Sequence, residues 1–256
     1  MNTPMNRRQA LSALGTISLG GLLAACGGDD GAGTTVRTTD GATATVDPRS
    51  APASTTATLL DDAASCRVTA QQTAGPYYFD ADKIRRDIRE DRDGTRLRLA
   101  IRVRDAGSCD PLADAVVDIW HADAQGSYSG FDGDEGGGRP RGGGGAQTGT
   151  RYLRGAQITD ADGIAEFVTI YPGWYPGRTV HIHAKVHLDA KTVLTTQLYF
   201  DDDVSDEVFG AKAYAGRGDR GARNASDGIF DQALVMTSEK KTGGYVAAMN
   251  IDVRQA

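Results

Sequence analysis

Four side chains near the middle of the chain, Tyr128, Tyr175, His181 and His183, have the types, order and spacing that binding a ferric ion requires. Apolar and polar residues alternate through residues 181–186, which predicts a half-buried strand. On a strand the two imidazoles leave the same face about 6.6 Å apart, a separation that two ligands of one metal ion can close. The sequence therefore predicts a metal centre built on this strand.

The two tyrosines decide which metal the site favours. Two neutral imidazoles suit zinc, copper, nickel and iron about equally well. A phenol, whose unperturbed pKa is about 10, becomes a ligand when a strongly Lewis-acidic ion removes its proton, and the resulting hard anionic oxygen favours Fe(III). Tyr175 lies in a loop rich in Pro and Gly, residues 172–178, that leads directly into the histidine strand and can aim the ring back at the metal.

The composition predicts one globular domain preceded by a flexible segment. The chain has 256 residues and a formal net charge of −6 without a basic cluster, which argues against nucleic-acid binding. Residues 26–64 are rich in small and polar residues and should form a flexible tether, so the folded domain spans residues 65–256. Beyond the N-terminus no apolar stretch is long enough for a membrane-spanning helix.

Residues 1–25 have the pattern of a bacterial export signal. Arg7 and Arg8 precede a short apolar run that ends in a lipobox-like Leu-Ala-Ala-Cys sequence at Cys26. We therefore expect cleavage before Cys26, lipid on that residue and a protein anchored at the periplasmic or extracellular face of the cell envelope. The arginine pair fits twin-arginine export, and a Sec signal is the alternative.

The remaining cysteines indicate an oxidising compartment. If Cys26 carries lipid, Cys66 and Cys109 are left as an even pair on either side of the first predicted strand. We expect a disulfide between them, with two free thiols as the alternative.

Alternating patterns predict an all-β sandwich of mostly antiparallel strands, with long loops that carry the metal site. Leucine, isoleucine and valine alternate with arginine through residues 96–104, as in a strand with one buried face. The Asp-Ala-Asp-Gly sequence at residues 160–163 predicts a turn between two strands. Further strands are predicted at residues 115–121, 164–170, 181–187, 194–200 and 245–253.

Two glycine-rich segments are predicted to be loops. Residues 133–149 lack the Lys-Ser/Thr pair of a phosphate-binding P-loop, and no helical pattern follows them, which indicates a mobile loop. A second glycine-rich loop spans residues 216–228, and its residues 217–223 are expected to be solvated.

Longer stretches of the sequence resemble one enzyme family. Residues 172–183, PGWYPGRTVHIH, resemble the metal-binding segment of the intradiol ring-cleavage dioxygenases, the non-haem Fe(III) enzymes that include protocatechuate 3,4-dioxygenase and catechol 1,2-dioxygenase. Residues 118–128 resemble the segment that ends in the family's other tyrosine ligand, residues 196–200 the strand that supplies a pocket glutamine, and residues 71–79 the opening of secreted members. The resemblance covers most of the chain from Cys66 to Phe209.

The resemblance implies a reaction and a role for each site residue. The four candidate ligands would hold Fe(III), a catechol-type substrate would displace Tyr175, which then acts as a base, and O2 would attack the activated ring. The ring would open between its two hydroxyl-bearing carbons to give a muconate-type diacid. Arg178 is expected to stabilise negative charge that develops on the ring, and Gln197 to form a hydrogen bond near the site.

Three other interpretations are compatible with parts of the sequence. A cupin also places His-X-His on a strand but needs a later histidine, and none follows His187. A facial-triad Fe(II) oxygenase could use His121, Asp123 and His181, although Fe(II) is harder to maintain in an exported protein. Residues 111–117 also resemble metal-free transthyretin-like β-sandwich modules, here a binding module at the cell envelope, but that scaffold leaves the four ligand-type residues unexplained.

Aromatic side chains close to these motifs are candidates for lining a substrate pocket. They are Tyr77, Tyr78, Trp120 and Trp174. Packing in the core or at the rim is the alternative role for each of them.

Overall fold

The computed structural model describes most of the chain from residue 66 onward and three short segments before it. The described residues are 34–37, 43–46, 57–61, 66–81, 83–131, 149–188 and 191–254. Their strands, in chain order, are β1 (Thr34–Arg37), β2 (Thr43–Val46), β3 (Arg96–Asp105), β4 (Val116–Trp120), β5 (Arg154–Ile158), β6 (Ile164–Ile170), β7 (His181–Leu188), β8 (Lys191–Tyr199), β9 (Thr237–Lys241) and β10 (Gly244–Val253).

Two four-stranded sheets pack face to face around one hydrophobic core, and β1 and β2 form a separate hairpin. One sheet has the order β6-β3-β10-β9 and the other β5-β4-β7-β8. All neighbours in the two sheets run antiparallel except β3 and β10, which are parallel. Leu99 and Ile251 from the first sheet share the core with Val117 and Ile182 from the second. This architecture confirms the predicted all-β sandwich.

The alternation of apolar and polar residues predicts six of the eight strands in the two sheets but not the edge strands β5 and β9. Strands β3, β4, β6, β7, β8 and β10 lie where the sequence pattern places them. The sequences of β5, Arg-Gly-Ala-Gln-Ile, and β9, Thr-Ser-Glu-Lys-Lys, do not alternate large apolar residues with polar ones. Each lies at the edge of its sheet, where short and charged strands are tolerated, so sheet position rather than side-chain pattern makes them strands.

The C-terminal end of the expected tether is folded. Helix α1 (Ala57–Asp61) packs Leu59 and Leu60 against Val246, on a face of the first sheet away from the main core. Asn250 donates from Nδ2 to the Leu60 carbonyl oxygen at 3.0 Å. The segment expected to be a flexible tether, residues 26–64, thus contains one short helix whose apolar Leu-Leu pair contacts the folded domain.

Several sequence predictions concern residues outside those described. They are the export signal at residues 1–25, the lipidation site Cys26 and nearly all of the glycine-rich loop at residues 133–149. No described helix is both long and apolar enough to cross a membrane.

A disulfide and a tight turn both lie at the C-terminal end of β3. The structure pairs Cys66 with Cys109, with their Cα atoms 5.6 Å apart, and so ties the segment before β3 to the turn after it. The predicted turn at residues 160–163 joins β5 to β6 and thus carries the chain from one sheet to the other. Gly163 has a φ of +72°, and a Cβ there would lie 2.5 Å from the Val103 carbonyl oxygen.

The glycine-rich loop at residues 216–228 is largely exposed but is anchored to the domain by two arginines. The Arg220 side chain, 4% exposed, forms an ion pair with Asp202 in helix α2 (Asp202–Phe209) at 2.7 Å. The Arg217 guanidinium lies 4.0 Å from the centre of the Trp174 ring. Most residues of 217–223 are at least partly exposed, as expected of a solvated loop, but Arg217 and Arg220 also bind the loop to the folded domain.

Candidate metal centre

The two predicted histidines project from strand β7 toward one point. The Nε2 atoms of His181 and His183 lie 3.1 Å apart, and both side chains are buried. Strand β7 lies between β4 and β8, which places Trp120 and Gln197 opposite His183 in the sheet. The predicted strand is present but is buried on both faces rather than half-buried, and it presents a pair of imidazole nitrogens with a common focus.

Two phenol oxygens complete the cluster. The Tyr175 hydroxyl lies 3.1 Å from His181 Nε2, and the Tyr128 hydroxyl lies 3.5 Å from the same atom. Tyr128 comes from the loop after β4, and Tyr175 comes from the loop that precedes β7. All four predicted ligands are therefore brought together, and they come from three separate segments of the chain.

The two histidines are in the protonation state that binds metal. His181 Nδ1 donates to the Thr179 carbonyl oxygen at 2.6 Å, which leaves the lone pair on Nε2. Burial lowers the pKa of His181 to about 3 and the pKa of His183 well below its usual value, so both rings are neutral at pH 7. His183 Nδ1 is buried and has no hydrogen-bond partner among the described residues.

The phenols need a strong cation before they can act as anionic ligands. Burial raises the pKa of Tyr175 to about 12 and the pKa of Tyr128 well above its usual range. No group of three or more His, Cys, Asp or Glu side chains in the described part of the chain could hold a metal. The donor set is thus two neutral imidazoles and two phenols that a strongly Lewis-acidic ion would deprotonate, and this set fits Fe(III).

Close packing fixes the orientation of the ligand rings. The Trp120 ring stacks on His183 with centroids 4.8 Å apart, and the Tyr77 ring stacks on Tyr128 at 4.6 Å. Gly75, with a φ of +66°, lets the backbone approach His183, since a Cβ there would lie 3.3 Å from His183 Cε1. These contacts limit rotation of both ligands before any metal binds.

Three of the four candidate pocket aromatics lie beside the ligands. Tyr77, Tyr78 and Trp120 belong to one apolar cluster together with Tyr128. Trp174 instead belongs to the main core, where its ring packs 4.5 Å from that of Phe209. For Trp174 the alternative of core packing is therefore correct.

The other two predicted catalytic residues bind each other. Arg178 Nη2 donates to Gln197 Oε1 at 2.6 Å, and Gln197 Nε2 donates to the Thr73 carbonyl oxygen at 2.9 Å. Arg178 Nε also donates to Asp227 Oδ2 at 2.9 Å. Arg178 and Gln197 therefore form one network at the end of the loop that supplies Tyr175.

Asp227 is a site residue that the sequence does not reveal. Burial acts to raise its pKa, but hydrogen bonds from the Ile229 and Thr179 N–H groups and the charge of Arg178 outweigh burial and hold the pKa below its usual range. The residue stands in a loop of small and polar residues with no motif around it. Only the fold brings this carboxylate to the active region.

Arg154, on edge strand β5, is the second residue missed. Its side chain is buried, and it donates to the Ser129 hydroxyl and carbonyl oxygens at 2.8 Å each. The guanidinium lies 4.1 Å from the Phe79 ring centre and 5.9 Å from the Tyr128 ring centre. Burial lowers its pKa to about 10, so it remains a cation at neutral pH next to a candidate ligand.

The alternative Fe(II) triad is not assembled. His121 Nδ1 donates to the Ala122 carbonyl oxygen at 2.8 Å, and its Nε2 accepts from the Thr169 hydroxyl at 2.7 Å. The Asp123 carboxylate accepts from two backbone N–H groups of the turn that follows it. His121 thus uses both ring nitrogens within the protein, and Asp123 binds the turn through Oδ1 while its Oδ2 lies 3.9 Å from Arg92 Nη1. Among the described residues these side chains therefore form no three-residue metal group with His181.

Comparisons with known proteins agree with this geometry. A family model described as Dioxygenase matches residues 73–225. The solved structure of an intradiol ring-cleavage dioxygenase from Tetranychus urticae is 30% identical to this chain with a TM-score of 0.69, and the match covers 74% of this chain and 95% of that one. The chain belongs to the intradiol ring-cleavage dioxygenase family.

Other proteins resemble this intradiol dioxygenase over different shares of their length. The dioxygenase domain of a dioxygenase and carbohydrate-binding protein fusion from Streptomyces sp. SirexAA-E is 30% identical, has a TM-score of 0.55, and is matched over 74% of this chain and 100% of that one. A chlorocatechol 1,2-dioxygenase from Rhodococcus opacus is 31% identical over 135 residues, or 45% of this chain and 48% of that protein. The chain spans about half the length of such curated relatives, and less of some.

Proposed function

We propose that this protein is a non-haem Fe(III)-dependent intradiol dioxygenase that uses O2 to cleave a catechol-type ring between its two hydroxyl-bearing carbons, giving a muconate-type diacid. The observation that carries the proposal is the convergence of the Tyr128, Tyr175 and His183 donor atoms within 3.5 Å of His181 Nε2. Curated relatives named as catechol and chlorocatechol 1,2-dioxygenases support an aromatic diol as the substrate. Bound Fe(III) would supply the Lewis acidity that deprotonates the catechol and activates its ring toward O2.

Three of the four candidate ligands suit a permanent bond to the metal, and the fourth suits proton transfer. His181, His183 and Tyr128 are buried and are held by hydrogen bonding or ring stacking, so they suit ligands that stay in place. Tyr175 is only partly buried and comes from a Pro/Gly loop. Its oxygen is therefore the one suited to leave the metal and accept a proton from a catechol hydroxyl.

Arg178 supplies positive charge, and the neighbouring aromatic rings supply an apolar surface. The Arg178 guanidinium lies within the electrostatic reach of Tyr175, whose pKa its charge lowers against the larger effect of burial. At this position it would stabilise negative charge that develops on the substrate ring. Gln197, oriented by Thr73, holds Arg178, and the Tyr77 ring beside Tyr175 offers a face or edge to a flat substrate.

A metal-free binding module of the transthyretin-like type accounts for the sandwich alone. It gives no role to the four converging donors or to the buried Arg178–Asp227 pair. The iron content of the purified protein separates the two functions, because a binding module would retain no iron after dialysis.

Oxygen uptake by the purified, iron-loaded protein tests the proposal. With a panel of catechols, we expect equimolar consumption of O2 and of at least one catechol, with a muconate-type product identified by mass spectrometry. Protein that holds stoichiometric iron yet consumes no O2 with any catechol would contradict it.

The location of the enzyme is a separate proposal. The lipobox-like sequence that ends at Cys26 supports cleavage, acylation and anchoring at the cell envelope. Several acyl chains give stable anchoring, whereas a single chain gives only marginal binding. Cys26→Ser should move the protein from the membrane fraction to the soluble fraction, and equal partitioning of variant and wild type would count against the anchor.

A further inference from the structure

We infer that Asp227 is a positioning residue of this enzyme: its buried carboxylate, supplied by the loop at residues 216–228, fixes both the Arg178 guanidinium and the backbone of Thr179, whose carbonyl oxygen orients His181. The inference rests on the proposed function and extends it, because it gives this glycine-rich loop a role in the reaction.

The Asp227 carboxylate has three fixed donors around it. Its Oδ2 accepts from Arg178 Nε and from the Thr179 N–H group, each at 2.9 Å. Its Oδ1 accepts from the Ile229 N–H group at 3.1 Å. The Asp227 side chain is only 2% exposed, so water cannot readily replace these partners. The carboxylate therefore locks three groups relative to one another.

The position of the Arg178 guanidinium follows from two contacts. Asp227 holds Nε, and Gln197 holds Nη2 at 2.6 Å. Two hydrogen bonds to different nitrogens of a planar group fix both its place and its plane. The entropy of ordering this long side chain is then lost on folding and not in each catalytic cycle, which is how a positioned charge gains efficiency.

Thr179 connects the same loop to a metal ligand. Its N–H group binds Asp227, its hydroxyl donates to Asn224 Oδ1 at 2.7 Å, and its carbonyl oxygen accepts from His181 Nδ1 at 2.6 Å. Asn224 Nδ2 in turn donates to the Phe200 carbonyl oxygen at 2.9 Å, which fastens the loop to the end of β8. One residue, Thr179, thus carries the constraint from the loop to the imidazole through its N–H group, its hydroxyl and its carbonyl oxygen.

Four variants measure whether Asp227 acts through Arg178. They are Asp227→Asn, Arg178→Ala, the double variant, and Asp219→Asn as the matched control, since Asp219 is an exposed aspartate of the same loop. An amide presents N–H donors where one carboxylate oxygen now accepts. We expect Asp227→Asn to lower turnover per bound iron by about 10- to 100-fold, the usual cost of losing such a support.

The double variant carries the decisive comparison. In the Arg178→Ala background we expect Asp227→Asn to cause a smaller fractional loss of turnover than in the wild-type background, because residues that act as a unit are not additive and only the contribution through Thr179 and His181 remains. Asp219→Asn should match the wild type. Wild-type turnover in Asp227→Asn, or an equal fractional loss in both backgrounds, would overturn the inference. If Asp227→Asn does not fold, Asp227→Ser replaces it, and failure of both to fold would show a structural role instead.

The dissociation constant of catechol, measured without O2 in the same four variants, is a second readout. It does not depend on turnover. We expect the coupling between Asp227 and Arg178 in this measurement as well, and additive effects would count against it. A wild-type protein that binds iron and catechol but consumes no O2 would refute the proposed function and leave the coupling measurable.

Discussion

His121 and His183 are both fully buried imidazoles, one just after β4 and one within β7, yet the protein uses them differently. Both nitrogens of His121 form hydrogen bonds inside the protein. His183 has no partner at Nδ1 among the described residues, and its Nε2 faces His181 Nε2 at 3.1 Å. Burial lowers the pKa of both rings, so burial and pKa do not separate them. The two rings differ instead in whether each ring nitrogen has a hydrogen-bond partner within the protein.

Replacing one histidine of each kind gives the largest expected difference. His183→Ala should lose iron outright, because His183 is one of the three buried ligands that hydrogen bonding or ring stacking holds in place, unlike the partly buried Tyr175. His121→Asn should keep iron, since His121 contributes no atom to the cluster. Iron per chain, measured after gel filtration, provides the test. Equal iron loss in the two variants would mean that the two histidines do not differ in the way described.

Tyr175→Phe should separate metal binding from proton transfer. The variant should keep part of its iron, because three ligands remain, but lose turnover by about 10²- to 10⁴-fold, the usual contribution of a positioned base. Single-turnover kinetics with a catechol should show slow substrate ionisation. Unchanged turnover would remove Tyr175 from the base role.

Arg178→Ala should keep its iron and the visible absorption expected of tyrosinate bound to Fe(III). It should lower kcat by about 10²- to 10³-fold, as expected for the loss of one electrostatic contact to developing charge. Arg178→Lys is the matched control, since it keeps the charge and loses the planar fork that binds Asp227 and Gln197. An iron loss that parallels the loss of kcat in Arg178→Ala would assign this residue to metal binding instead.

The smallest expected effect concerns His121 and pH. Burial lowers its pKa from 6.5 to about 4, so below pH 6.5 the unfolded chain takes up a proton before the folded protein does. The stability that this neutral ring provides is complete above pH 6.5 and is lost as the pH falls toward 4, by about 3 kcal/mol. Urea denaturation should show that the free energy of unfolding falls between pH 7 and pH 4 by that amount less in His121→Asn than in the wild type. The same loss in both proteins would contradict the assignment.

The sequence predicts much of this centre because its ligands lie in short local patterns. Strand alternation places His181 and His183 on one face, and the Pro/Gly loop places Tyr175 before them. Asp227 and Arg154 carry no such pattern: one lies in a polar loop and the other on an edge strand, and both reach the site through contacts distant in sequence. Residues that contact a site but are distant from it in sequence can be identified only when the fold is known.

Local sequence patterns also leave the partners of individual polar side chains undetermined. The glycines of residues 217–223 indicate a solvated loop, which is largely exposed, but they do not show that the Arg220 side chain is buried against helix α2. The His121 and Asp123 pair looks like part of a metal triad, although its polar atoms serve the backbone and Thr169. A local motif shows which residue types are near one another, whereas hydrogen-bond partners decide whether their donor atoms are free.

The visible spectrum of the iron-loaded protein tests the central claim most directly, because tyrosinate bound to Fe(III) absorbs visible light by charge transfer. We expect a reddish-brown protein whose band moves to longer wavelength with catechol in the absence of O2, and a Tyr128→Phe variant in which the band is weak or absent. A colourless wild-type protein with stoichiometric zinc, or full ring cleavage by both Tyr128→Phe and His183→Ala, would contradict a ferric centre built on these four residues.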